Sequence, residues 1–482
     1  MASRGNRPNV LLVVCDTLRP DFLSPYGSDL DTPFFDRVAD AGTVFENAYA
    51  AGPGSSISHA ALFSGQYPST SGVGGQVDVP TDIPHIAERF SDAGYETFGM
   101  PGPSRIGSHW NYDRGFDEYL EKWADIPSSV SIEDLKKGLD DPTLLKPMPK
   151  ELLRRAVRGD DDHASYLLDV FANKTRELES PWFSFVNVTI AHGPYDPPRP
   201  YKEEAVPELE RPRFGFLDSV GDERVDRADV DLDRIAEVNN PGGFVRELAG
   251  EYLSSGDREV LRSLYGASVR YLDAQLANLC DTLESAGELE NTVVVLLSDH
   301  GEYLGERGLT GHMFFHFGPC LHVPLVLSGP GVPAGEHRSD FVSLVDVFPT
   351  LCDLTGVDTP PAVDGHSVFG DRRRDAAFAE NGARDTPDVG EDHFPPETMA
   401  RLGRGLKSVR TADYLFTRDD AGEERLYERP DETEIPLSDG PADELRAMLR
   451  DTLGEDFPPG TQAEEDMSEA VESNLRKLGY IE

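Results

Sequence analysis

Two apolar runs, each closing on an aspartate, constrain this chain more than anything else in it. NVLLVVC (Asn9–Cys15) leads straight into Asp16, and TVVVLL (Thr292–Leu297) leads through Ser298 into Asp299, His300 and Gly301. Val and Leu without polar alternation read as strands buried on both faces, as in a parallel sheet. Parallel neighbours need long crossover connections, usually helical, so the chain is expected to be α/β. In open sheets of this kind ligands gather beyond the carboxyl ends of the strands. A lone aspartate at a strand end is commonly no more than a helix cap. Two carboxylates and an imidazole at two such ends suit a divalent cation.

A third stretch belongs with them: GPGSSISHAALFSGQYP, from Gly52 to Pro68. A Gly/Pro/Ser loop gives way to good helix formers (Ala60, Ala61, Leu62), and Gly65 is a natural stop. Ser55, Ser56 and Ser58 therefore fall at or just before a helix N-terminus, where free N–H groups and the dipole favour an anion. Read alone, Ser58 merely caps the helix. Beside the two strand-end aspartates, the loop offers a serine nucleophile and a seat for a sulfate or phosphate group.

The order of these pieces resembles the sulfatase family of the alkaline-phosphatase superfamily. Asp16-Thr17-Leu18-Arg19 comes first, then Ser55-Ser56-Ile57-Ser58-His59, then Ser298-Asp299-His300-Gly301 before Leu304-Gly305-Glu306. Ala191-His192-Gly193-Pro194-Tyr195 is similar to the family's loop after a further strand. Gly311-His312 followed by His322-Val323-Pro324-Leu325 matches another of its segments. The resemblance implies a metal-dependent hydrolase of sulfate esters, with Asp16, Asp299 and His300 as ligands and the Ser55 hydroxyl completing the set. Oxygen-rich ligation favours Ca²⁺ and suits Mg²⁺ or Mn²⁺, while the imidazole admits Zn²⁺. Ser55 would be the nucleophile or a formylglycine precursor. His192 and His312 would bind the ester or protonate its leaving oxygen, as imidazoles do near neutrality. As loop or core histidines they would instead simply be satisfied by hydrogen bonds, a reading that weighs more for His59 and most for His316 and His322.

Three departures from the family pattern stand out. Thr17 occupies the place of a second aspartate, which implies weaker Ca²⁺ binding or another ion. The activating motif wants Cys or Ser, then Pro or Ala two residues on, then Arg; Ser55 meets the first requirement, but Ile57 and His59 do not meet the others. His59 also replaces the arginine that braces the nucleophile. Unmodified serine suits phosphate esters, so a phosphodiesterase, phosphonate monoester hydrolase or phosphotransferase is the alternative. A non-catalytic anion-binding protein is the alternative from another class.

Composition narrows the partners. With 88 acidic residues against 45 basic ones, the formal charge of the 482-residue chain is −43, which argues against nucleic acid and anionic membranes. Such self-repulsion opposes compaction unless screened, and at molar salt the Debye length falls to about 3 Å. A salt-rich cytoplasm, as in a halophilic archaeon, is the expected setting. Cys15, Cys280, Cys320 and Cys352 are widely spaced and imply no disulfide framework. No apolar leader precedes the first strand and no run reaches membrane-spanning length, so a cytoplasmic location is expected. The partner is expected to be a small-molecule or glycan sulfate (or phosphate) ester; oligomeric state is not encoded legibly.

Along the chain, helices are expected at Asp31–Ala41, Ile83–Ala93, Ala164–Leu178, Asp257–Ala286 and Val345–Leu354, with strands at Gly42–Tyr49, Glu96–Met100, Trp182–Val188 and Val323–Leu327. Pro200 to Gly243 reads as an insertion over the active-site face or a solvated loop. Trp110, Tyr195, Phe314 and Phe315 are candidates to stack on a sugar or aryl group. The expected architecture is a doubly wound mixed sheet flanked by helices over residues 1–375. A smaller C-terminal α+β subdomain follows over 376–482, with strands at Lys407–Arg410 and Tyr414–Thr417, a closing helix at Ala442–Leu453 and an acidic tail that includes a helical stretch at Ser468–Leu478.

Overall fold

The computed structural model describes residues 7–75, 77–121, 164–179, 181–206, 209–210, 224–225, 229–239, 253–312, 315–384 and 401–461. Strands are numbered β1–β18 along the chain. The core is a nine-stranded mixed sheet built from β1 (Asn9–Cys15), β2 (Gly42–Tyr49), β3 (Glu96–Met100), β4 (Glu118–Tyr119), β5 (Trp182–Val188), β8 (Thr292–Leu297), β11 (His322–Val323), β12 (Leu325–Ser328) and β13 (Glu336–Ser343). At its centre β1 runs parallel to β5 on one side and to β8 on the other, so the two aspartate-terminated strands are immediate neighbours. β3 and β4 extend the parallel run beyond β5, while β12 and β2 carry the other side antiparallel.

The apolar runs are buried throughout, and alternate residues feed two cores. Val10, Leu12 and Val14 point into one layer, and Leu11, Val13 and Cys15 into the other. The second layer is dominated by a 31-residue helix, Ser255–Ser285, whose start is fixed by a capping box between Ser254 and Asp257. Its Leu261, Leu264, Leu272 and Leu276 lie against β1 and β8 residues in the same core. Helix α1 (Pro33–Asp40) joins that layer through Phe34 and Phe35, and helix α2 (Ser55–Ser64) enters the first layer.

Several boundaries differ from expectation for local reasons. Pro324 lacks an N–H and splits the expected Val323–Leu327 strand into β11 and β12. The Ile83–Ala93 helix begins only at Ile86, because Pro84 biases the residue before it away from helix. The Val345–Leu354 helix is Val347–Thr355, entered through a 3₁₀ turn at Leu344–Asp346. From the Pro200–Gly243 stretch the structure describes two short helices, Tyr201–Ala205 and Leu232–Val238, and a small ribbon of β6 (Leu209–Glu210) with β7 (Arg224–Val225). The Ser468–Leu478 expectation lies outside the described residues.

After the nine-stranded sheet and its helices the chain forms a five-stranded antiparallel sheet of β14 (Ala377–Asn381), β15 (Leu406–Arg410), β16 (Tyr414–Asp419), β17 (Glu424–Glu428) and β18 (Thr433–Ile435), packed on the helix Ala442–Leu453. It is tied directly to the loop before α2, since the Glu380 amide donates to the Ala51 carbonyl at 2.9 Å. All four cysteines are free and buried. Among the described residues no helix is long and apolar enough to cross a membrane.

Candidate active site

β1 delivers Asp16 to the carboxyl edge of the sheet, and the chain then turns back at once. Thr17 makes that turn in the left-handed region, at φ 59°. The Tyr265 hydroxyl pins it by accepting from the Arg19 amide at 2.9 Å and donating to the Thr17 carbonyl at 2.8 Å. One strand along, the Ser298 hydroxyl accepts from the Leu18 amide at 2.9 Å and donates to the His300 carbonyl at 2.6 Å. Hydrogen bonds thus stitch the two strand-end turns together and set Asp16, Asp299 and His300 side by side.

These three are wholly buried, and one ligand atom from each lies within 4.8 Å of the others. His300 Nε2 is 3.8 Å from Asp16 Oδ1 and 3.5 Å from Asp299 Oδ2. Both Asp16 oxygens and Asp299 Oδ2 have no hydrogen-bond partner among the described residues. Buried carboxylate oxygens without donors are costly unless a cation compensates them. Two hard oxygen donors and an imidazole therefore fit a divalent ion.

Without such an ion, the local charges sort themselves unevenly. Burial pushes the Asp16 carboxyl far above its usual range, and the charge of Asp299 adds to this. Burial opposes the charge on Asp299 as well, but His300 and His59 outweigh it and hold that carboxyl low. His300 is raised because Asp299 and Asp16 overcome the burial of its ring. A cation would replace protons across this coupled set.

Ser55 is the first residue of α2 and is buried. Its Oγ lies 3.2 Å from His300 Nε2. Gly54 is the N-cap, so Ser58 sits inside the helix; its hydroxyl donates to the Asp299 carbonyl at 2.5 Å rather than capping. His59 lies one turn after Ser55 in the same helix. Its Nδ1 is 2.9 Å from the Ser55 carbonyl and 3.5 Å from Asp299 Oδ2, and Nε2 is 3.2 Å from the Asn187 amide. Its ring is fully buried against Phe63 and Phe185, and that burial depresses its pKa.

His192 and His312 come from separate loops onto the same edge. Their rings are 5.3 Å apart, and the His312 ring lies 4.3 Å from that of His300. Burial, then the neighbouring His300 and His192, push His312 well below the ordinary imidazole value. His316 and His322 stand elsewhere. His316 bonds Ser408 and Asn381 at 2.8 and 2.9 Å, joining the C-terminal sheet to the nine-stranded sheet and its helices, and His322 stacks on Tyr49 while bonding the Glu46 carbonyl.

Two expected aromatic contacts are packing instead. Trp110 is buried, and Tyr195 lies edge-on to Tyr265 at 5.3 Å. Phe315 is half-buried beneath the Arg401 guanidinium, and Phe314 lies outside the described residues.

Sequence reasoning passed over Glu302, Asn187 and Tyr112. Glu302 follows Gly301 directly and is buried, with Oε1 2.9 Å from His312 Nδ1. Its place three residues after Asp299 was the available signal, hidden in a chain with 88 acidic residues. Tyr112 donates to the Ser56 carbonyl at 2.6 Å and steadies the first turn of α2.

Against known proteins, the sulfatase family model matches residues 8–357, which contain every one of these site residues. The chain belongs to the sulfatase family. It is 27% identical over 390 residues to a choline-sulfatase of Rhizobium meliloti, covering 75% of this chain and 71% of that one. In structure this sulfatase resembles the phosphonate monoester hydrolase of Agrobacterium radiobacter, with a TM-score of 0.66 and 23% identity over 93% of this chain and 95% of the other. It also resembles a protein solved in complex with its substrate D-glucosamine-2-N,6-O-disulfate, with a TM-score of 0.67 and 19% identity, covering 94% and 99%. At these identities the likeness is one of fold, and it extends over nearly the whole of each chain.

Proposed function

We propose that Ser55 is the nucleophile of this sulfatase and that His192 and His312 handle the proton of the leaving group. The protein is a hydrolase acting on sulfate esters. The observation that carries the assignment of Ser55 is its Oγ, 3.2 Å from the His300 Nε2 that faces carboxylate oxygens without a donor among the described residues.

Asp16, Asp299 and His300, with Ser55 Oγ beside them, would hold a divalent cation (Ca²⁺ first, with Mg²⁺, Mn²⁺ or Zn²⁺ as the other candidates) that lowers the hydroxyl pKa and offsets the charge of the transferred group. Ser55 Oγ, its proton lost to solvent and regained when the serine is released, forms a bond to sulfur as the ester S–O bond breaks. The departing oxygen takes a proton from the imidazole of His312 or His192. The amides at the start of α2 face the anion throughout. Water then attacks the sulfur of the sulfoserine from the opposite side, giving its proton back to that imidazole and releasing Ser55. Ile57 and His59 do not fit the motif for oxidation to formylglycine, and His59 is locked between Phe63 and Phe185. No step is therefore assigned to that group.

A second reading, hydrolysis of a phosphate diester or phosphonate monoester, is favoured by the unmodified serine. Turnover of p-nitrophenyl sulfate, p-nitrophenyl phosphate and bis-p-nitrophenyl phosphate, each with Ca²⁺, Mg²⁺, Mn²⁺ and Zn²⁺, separates the two. A preference for the phosphorus esters would replace the sulfate assignment, and no turnover with any, unchanged in Ser55→Ala, would leave an anion-binding protein. The intact mass of the Ser55 peptide decides the modification, since formylglycine is about 2 Da lighter than the serine it replaces.

Three further assignments belong to the same proposal. The substrate is a small-molecule or glycan ester. Residues 1–375 form the catalytic domain and 376–482 the C-terminal subdomain. The −43 charge suits the cytoplasm of a salt-rich cell; stability should rise with KCl, and full stability in dilute buffer would sink that idea.

A further inference from the structure

Glu302 joins the two loops that carry the proton-transferring histidines. Its Oε1 lies 2.9 Å from His312 Nδ1, with both side chains almost fully buried. On its other side the Gly193 backbone and the Tyr195 hydroxyl act on the same carboxyl group, offsetting in part the burial that raises its pKa. Gly193 in turn accepts from His192 Nδ1 through its carbonyl at 2.6 Å. The backbone is held as well, because Arg19 Nη1 donates to the Glu302 carbonyl at 2.9 Å. Arg19 is anchored by Asp21 and Glu306 at 2.7 and 2.8 Å. One carboxyl group therefore sets the ring plane of His312 and the loop geometry of His192 from a braced position. With Nδ1 of His312 committed to Glu302, any proton exchanged with substrate passes through Nε2, the other ring nitrogen.

We propose that Glu302 is a positioning residue for the hydrolysis. It holds His312 so that Nε2 meets the departing ester oxygen, and its carboxylate at Nδ1 favours the protonated ring that burial and the neighbouring His300 and His192 disfavour. This rests on the reading of His312 as the general acid. Loss of a well-placed general acid costs about 10²- to 10⁴-fold in rate. The loss falls hardest on substrates whose leaving group is a poor one, because a good leaving group departs without protonation. A carboxylate that served only to hold the fold together would affect all substrates alike.

The test compares kcat on phenyl sulfate with kcat on p-nitrophenyl sulfate, a poor and a good leaving group, for the wild-type protein, Glu302→Ala, Glu302→Gln, His312→Gln and the Glu302→Ala/His312→Gln pair. Expected are a loss of roughly 10²-fold for Glu302→Ala on phenyl sulfate and less than about tenfold on p-nitrophenyl sulfate. Glutamine should restore most of the rate, since its amide can still hold Nδ1, and the double variant should be no slower than His312→Gln. Equal losses on both substrates, glutamine no better than alanine, or losses that multiply in the double variant would each overturn the proposal. If His312→Gln itself leaves the ratio of the two substrates unchanged, the general-acid reading of His312 fails instead. Should Glu302→Ala not fold by circular dichroism, Glu302→Asp takes its place, keeping the charge while withdrawing it from Nδ1 by one methylene.

Discussion

The strand-end centre and the seam to the C-terminal sheet both bury carboxylates, and they treat them oppositely. At the seam, Glu380 takes the Ser69 amide at 2.6 Å and pairs with Lys407 at 3.3 Å. Lys407 spends its donors on the carbonyls of Leu453, Gly454 and Asp456 at 2.7, 3.1 and 2.7 Å. Arg410 pairs with Glu432, and Arg374 with Asp346 at 2.6 Å. Glu380 Oε2 also lacks a hydrogen bond, but Lys407 stands against it; at the centre Asp16 and Asp299 present oxygens that meet neither a hydrogen-bond donor nor a lysine or arginine among the described residues. Burial alone therefore does not mark a functional carboxylate. What marks it is burial at a strand terminus with no lysine or arginine set against it, which the fold tolerates only where something else is to be bound.

Four experiments strain that contrast, in order of expected effect. Ser55→Ala should lower kcat by on the order of 10³-fold or more while shifting stability little, read as turnover against a chemical denaturation curve. Residual turnover within tenfold of wild type would remove Ser55 from the chemistry. Lys407→Met should do the reverse, destabilising by about 3–5 kcal/mol because Glu380 is left buried without its cation, yet leaving kcat of the folded enzyme near wild type. A thermal melt scored beside an activity assay reads both.

Added divalent ion should raise the melting temperature of the wild-type protein, by the equivalent of about 2.7 kcal/mol at a hundred times Kd. Asp299→Asn should abolish that rise, and an unchanged rise would place the ion elsewhere. The smallest effect concerns Glu306 at the Arg19 cluster. Burial works to raise its carboxyl, but Arg19 and the Leu304 amide outweigh it, so the folded value lies below the ordinary one. Its contribution is therefore present above the unfolded carboxyl pKa and is lost as pH falls through the folded value. Wild type should lose up to about 1 kcal/mol more than Glu306→Gln on acidification, measured by urea midpoints across pH 3 to 7.

Much of this was legible in linear order. The unbroken Val/Leu runs announced strands buried on both faces, and β1 and β8 are those strands, hydrogen-bonded in register from Val10 beside Val293 to Val14 beside Leu297. Gly65 ended α2 as expected, at φ 67°, and the Ala442–Leu453 helix has the expected bounds. What stayed hidden depended on partners far away along the chain. Glu302 looks like any other acid until His312, Gly193 and Tyr195 close on it. Tyr265, in the middle of an amphipathic helix, shows its role only when its hydroxyl reaches the turn at Thr17, 248 residues distant. Trp110 and Tyr195 looked like ligand platforms because a sequence cannot show that other side chains already cover them.

By itself, then, the sequence determined the layered α/β class, the two strand tips and the hydroxyl loop, because hydrophobic patterning and turn chemistry act over a few residues. Only the tertiary structure decided which polar groups satisfy one another and which are left to bind. Hydrogen-bond saturation is a property of neighbours in space, and in this chain those neighbours are drawn from segments far apart in the sequence.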